Sequence, residues 1–88
     1  MSLKKIGQIL HAAPGNKAIA KVEVLPDLGA TVFDIRKKPI GVVLDIFGPL
    51  SSPYIEVEVK GHDPKKFVNY QIFALPKSKH IKVKGKKK

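Results

Sequence analysis

Residues 38–59 read Lys38-Pro-Ile-Gly-Val-Val-Leu-Asp-Ile-Phe-Gly-Pro-Leu-Ser-Ser-Pro-Tyr-Ile-Glu-Val-Glu-Val59 and decide the fold: two strands around a stiff loop. On the first arm strict alternation puts Ile40, Val42, Leu44 and Ile46 on one face and Val43 and Phe47 on the other with Gly41 and Asp45, as expected of a strand central to a small curved sheet. The second arm alternates Ile55, Val57 and Val59 with Tyr54, Glu56 and Glu58, the pattern of a strand with one wet face. Between them, Gly48-Pro49 and Ser52-Pro53 place two fixed φ angles and one permissive glycine in a short connection. The loop is therefore expected to hold its shape before any partner arrives. Phe47 and Tyr54 flank it, where a purely structural loop would manage with polar residues, so the rim reads as a docking surface.

The rest of the chain repeats this rhythm. Residues 3–10 predict a strand with Ile6 and Leu10 on one face and Leu3 and Ile9 on the other. The turn residues Ala12-Ala13-Pro14-Gly15-Asn16 lead into a second strand over 18–25 in which Ala18, Ala20, Val22 and Val24 alternate with Ile19, Lys21, Glu23 and Leu25. Leu25-Pro26-Asp27-Leu28-Gly29 forms a loop unusually apolar for its position, and 31–35 a short third strand. Arg36-Lys37-Lys38-Pro39 is a charged hairpin turn. After Val59, Asp63-Pro64 predicts a cap and first residue of one helical turn, with no longer helix anywhere. Residues 70–75 form the last strand, closed by Pro76. Six short strands between glycine- and proline-bearing turns predict an all-β fold, a small closed antiparallel barrel over residues 1–76.

Charge and composition narrow the function. At 88 residues there is one domain and little room for an enzyme pocket. The chain has no cysteine, which removes disulfides, thiolate zinc sites and cysteine nucleophiles, and it fits a reducing interior. No apolar run resembles a signal peptide or a membrane span, so the expectation is a soluble intracellular protein. The net charge of +10 sits mostly at the ends: between residues 6 and 76, eight basic residues face all seven acids. The excess comes from Lys4, Lys5 and the seven lysines Lys77, Lys79, Lys82, Lys84, Lys86, Lys87 and Lys88. A nearly neutral barrel with a flexible basic tail over 77–88 follows.

Lys5-Ile6-Gly7, the Leu25-Pro26 loop before Gly29-Ala30, and above all Ile40-Gly41, Asp45-Ile46-Phe47-Gly48-Pro49 and Pro53-Tyr54 resemble the Gar subunit of box H/ACA ribonucleoproteins. With a single arginine and no glycine- and arginine-rich flanks, the chain is similar to the minimal, archaeal-type form. This resemblance implies a six-stranded barrel related to translation-factor barrels, bound to the catalytic domain of a dyskerin-type pseudouridine synthase. It implies no chemistry by the subunit itself, which assists the synthase in loading and releasing substrate rRNA held by an H/ACA guide RNA, in the cytoplasm of an archaeal-type cell. The interface candidates are Ile46, Phe47, Gly48, Pro49, Pro53 and Tyr54, with Leu25 and Pro26 as a second contact weighed against a loop leucine folded into the core.

Other chemistry finds little footing. His11, His62 and His80 lie far apart with no close-spaced ligand pattern, so no metal or cofactor is expected. His62-Asp63 is the one adjacent acid–base pair, and capping accounts better for Asp63. Ser51 and Ser52 have no base at a recognisable spacing. The lysine tail suits salt-dependent phosphate contact without base reading, because it lacks stacking aromatics. A rival reading, a ribosomal or translation-factor-like barrel that binds RNA directly, draws on the basic ends; the near-neutral body argues against it. An exposed apolar rim would also be free to pair with itself when unpartnered.

Overall fold

A computed structural model describes residues 3–75; the lysines from Lys77 onward, His80 and Pro76 lie outside the described residues. In chain order the strands are β1 (Lys4–Ala13), β2 (Lys17–Val22), β3 (Thr31–Phe33), β4 (Pro39–Phe47), β5 (Tyr54–Val59) and β6 (Gln71–Ala74). One 3-10 turn, η1 (Pro64–Phe67), separates the last two. The strands close into the antiparallel barrel expected from the sequence, in the order β1-β2-β5-β4-β3-β6.

Strict alternation holds where strands are regular. Ala18, Ala20 and Val22 of β2 and Ile55, Val57 and Val59 of β5 are all buried, with Ala18 opposite Val57 and Ala20 opposite Ile55. Small residues against branched ones suit the interior of a narrow barrel.

Two strands break the period. In β1, Ile6 and Ile9 are both fully buried, although alternation places them on opposite faces, and Leu10, expected beside Ile6, is 40 % exposed. The register slips between Lys5 and Gly7 against β6 and between Ile9 and His11 against β2. An extra residue in one strand of a pair turns the following side chains to the other face. The same correction applies to β4, where Ile40 and Val43 are buried while Leu44 is exposed, with a slip between Val43 and Asp45 against β5.

Side-chain oxygens shape the turns at one end of the barrel. β3 stops at Phe33, earlier than the sequence predicts, because Asp34 Oδ1 accepts from the amides of Arg36 (2.8 Å) and Lys38 (3.0 Å) and folds the hairpin over. Asp63 caps η1 as expected, its Oδ1 accepting from the Lys65 amide at 3.0 Å, with Pro64 next in the turn. Phe67 is buried and packs edge-on against His62 and Tyr70, with ring centroids 5.6 Å and 5.2 Å away. The single turn thus stoppers the barrel beside β1 and β2.

Candidate protein-docking rim

The rim forms where β4 hands over to β5. Phe47 and Tyr54 are the last paired residues of that ladder, their rings stacked with centroids 5.9 Å apart and planes 20° apart. Such a pair adds about 0.5–1.5 kcal/mol beyond its buried area. Here it also holds both rings in one orientation, with Phe47 43 % exposed and Tyr54 half-buried.

Between the rings the backbone is tied at three points. Gly48 adopts φ +93°, a conformation that side chains resist, and a β-carbon there would press on the Tyr54 ring at 3.0 Å. The Ser52 amide donates to the Pro49 carbonyl at 3.0 Å, closing a tight turn. Beyond it the Val22 amide donates to the Pro53 carbonyl at 3.1 Å, fastening the loop to β2. Pro49 is exposed, Pro53 half-buried, and Ile46 leans into the core from behind.

The sequence missed the most exposed side chain of the rim. Leu50 is 95 % exposed at the tip of the turn. A leucine between a proline and a serine carries no signal for facing out or folding back, so only the turn geometry reveals it.

The second candidate contact divides. Pro26 is fully buried and offers no surface to a partner, in contrast to its place among the expected interface residues. The loop is pulled inward because the Gly29 amide donates to the Val43 carbonyl (2.8 Å) and the Val43 amide to the Ala30 carbonyl (2.9 Å). Leu25 packs partly on the core, and its remaining surface lines a shallow groove with Leu50, Ser52 and Pro53. Lys21 and Glu23 edge the same groove. The structure therefore brings Leu25 to the rim and takes Pro26 away from it.

Elsewhere the described residues hold no group of three His, Asp or Glu placed to bind a metal ion. No helix among them is long and apolar enough to cross a membrane.

With that geometry in place, comparison with known proteins gives the family: residues 3–83 match the Gar1/Naf1 RNA binding region. The chain belongs to this family. The Gar1/Naf1 domain is a non-catalytic fold associated with ribonucleoproteins. This Gar1/Naf1 chain is 40 % identical over 68 residues to an uncharacterized protein of Methanothermobacter thermautotrophicus, covering 76 % of this chain and 74 % of the relative. It is also 40 % identical over 50 residues to an uncharacterized protein of Methanocaldococcus jannaschii, covering 57 % and 60 %. Its barrel shares the fold of the solved Gar1 domain of Naf1, with a TM-score of 0.67 at 20 % identity over 83 % of each chain.

Proposed function

We propose that this chain is the non-catalytic subunit of an H/ACA guide-RNA ribonucleoprotein, docking through the Phe47–Tyr54 rim on the catalytic domain of a dyskerin-type pseudouridine synthase. There it assists loading and release of substrate rRNA, while pairing with the guide RNA supplies sequence recognition. The observation that carries this reading is Leu50, 95 % exposed beside the stacked Phe47 and Tyr54 on a loop whose backbone is already fixed. Apolar anchors of this kind contribute most of their energy when a partner desolvates them, and a preformed loop loses little entropy on docking. Membership of the Gar1/Naf1 family supports the ribonucleoprotein setting. In an archaeal-type cell the particle would work in the cytoplasm. The lysines Lys77, Lys79, Lys82, Lys84, Lys86, Lys87 and Lys88 would add phosphate contacts that keep RNA near without reading it.

The test is reconstitution with the synthase, guide RNA and substrate. The chain should co-purify with the synthase and raise the rate of repeated turnovers more than that of a single turnover. Failure to associate overturns the reading.

A further inference from the structure

Charge is spread unevenly over the near-neutral body. Segments 34–38 and 60–66 hold six of the eight basic residues between positions 6 and 76 but only two of the seven acids. The fold brings the two segments together: the Lys60 amide donates to the Ile40 carbonyl at 3.0 Å, and a groove opens between the β3–β4 hairpin and η1. Arg36 and Lys38 line one wall and Lys66 the other, its Nζ 5.9 Å from the centre of the Phe67 ring.

Both acids of these segments are turned to their own backbone. Asp34 Oδ1 accepts from the Arg36 and Lys38 amides and Asp63 Oδ1 from the Lys65 amide. On the flank, Glu58 reaches Lys60 at 3.8 Å, an exposed pair. Arg36, Lys38 and Lys66 form no salt bridge among the described residues.

Apolar surface lies between these cations. Ile35, next to Arg36 in the hairpin, is 69 % exposed and Tyr70 is 38 % exposed. Both border this groove and a second hollow beside Asn69 and Gln71, so one apolar ridge joins the two. Phe67 braces the Tyr70 ring edge-on, and the two bonds to Asp34 Oδ1 fix the hairpin backbone that carries Ile35. Cations around an aliphatic and aromatic middle have the layout of a protein interface, an apolar centre inside a charged margin. A nucleic-acid strand needs successive open ring faces for its bases, and Ile35, the more exposed half of the ridge, has none. A peptide carboxylate matches the arginine fork with two parallel hydrogen bonds, and an apolar side chain beside it would cover Ile35. The braced walls keep the ordering cost of such docking low.

We propose that this groove docks an acidic linear segment of a second protein, with carboxylates on Arg36, Lys38 and Lys66 and one apolar side chain between them over Ile35 and Tyr70. This goes beyond the docking reading, because it gives the barrel a second protein partner besides the synthase. The groove lies away from the rim: β4 runs from Pro39 at the groove to Phe47 at the rim, eight steps, or about 26 Å along the strand. One chain can then hold a protein at each end of the barrel.

The test uses the full chain without synthase, so that it stands or falls separately from the docking reading. The probe is a fluorescent 12-residue peptide of glutamates with leucine at its two central positions, and the readout is its affinity by anisotropy at 100 mM salt. The triple variant Arg36→Gln, Lys38→Gln, Lys66→Gln loses three exposed charge pairs and should weaken binding about tenfold; the charge-matched Lys84→Gln, Lys86→Gln, Lys87→Gln should weaken it less than about threefold. Ile35→Ser, at a position too exposed to unfold the barrel, should weaken the leucine-bearing peptide about fivefold and leave plain polyglutamate unchanged. Amide shifts on adding the peptide should fall on residues 35–38 and 62–71. Equal losses for the two triple variants, unchanged affinity with Ile35→Ser, or shifts confined to residues beyond 75 overturn the proposal. So does a 12-nucleotide single-stranded RNA that displaces the peptide from the groove at lower concentration than unlabelled peptide does.

Discussion

Gly41 lies so close to the carbonyl of Glu58 across the β4–β5 ladder that a β-carbon there would overlap the carbonyl oxygen and crowd Val57 Cγ1 at 2.9 Å. The nearest obstacle is the neighbouring strand's backbone in the barrel wall, which cannot swing aside as the end of a flexible side chain would. Gly41→Ala should therefore destabilise the fold by about 2 kcal/mol or more, lowering Tm by roughly 8–16 °C in a domain of this size. Thermal unfolding by circular dichroism checks this, and an unchanged Tm contradicts the close approach.

The bulged course of β1 sets two neighbours apart. Ile9→Ala removes a fully buried side chain and should cost about 2–5 kcal/mol, whereas Leu10→Ala, at a position 40 % exposed, should cost under about 1 kcal/mol. Urea titrations rank the two. The reverse order would mean that β1 keeps unbroken alternation and turns Leu10 inward.

At η1 the issue is an acceptor rather than a charge. Asp63→Ala loses the bond from the Lys65 amide and should cost about 1 kcal/mol, while Asp63→Asn, which keeps an acceptor oxygen, should cost only a few tenths. Equal losses for both variants in urea would attribute the effect to charge and not to capping.

The strands that the sequence made plain are those whose geometry is regular. β2 and β5 obey period two because each of their rungs pairs one residue with one residue. β1 and β4 do not, because their bulges depend on neighbouring strands that a local pattern does not contain. At the rim, the aromatic and proline positions 47, 49, 53 and 54 were legible as a stiff apolar edge. Leu50 and Pro26 were not, since the exposure of one and the burial of the other follow from hydrogen bonds between loop and strand. The basic groove was hidden for a related reason. Its two walls lie more than twenty residues apart in the chain, and the total charge of the body averages them away.

The central claim is that the rim docks on the synthase, and Leu50 tests it most directly because its side chain gives the fold almost nothing. Calorimetric titration of the Leu50→Ala and Phe47→Ala variants into the synthase catalytic domain should show each weakening affinity by about 2 kcal/mol, roughly 30-fold. Leu50→Ala should leave Tm unchanged, and Phe47→Ala should lower it only by the loss of its stack on Tyr54. Parent-like affinity in both folded variants would contradict the account.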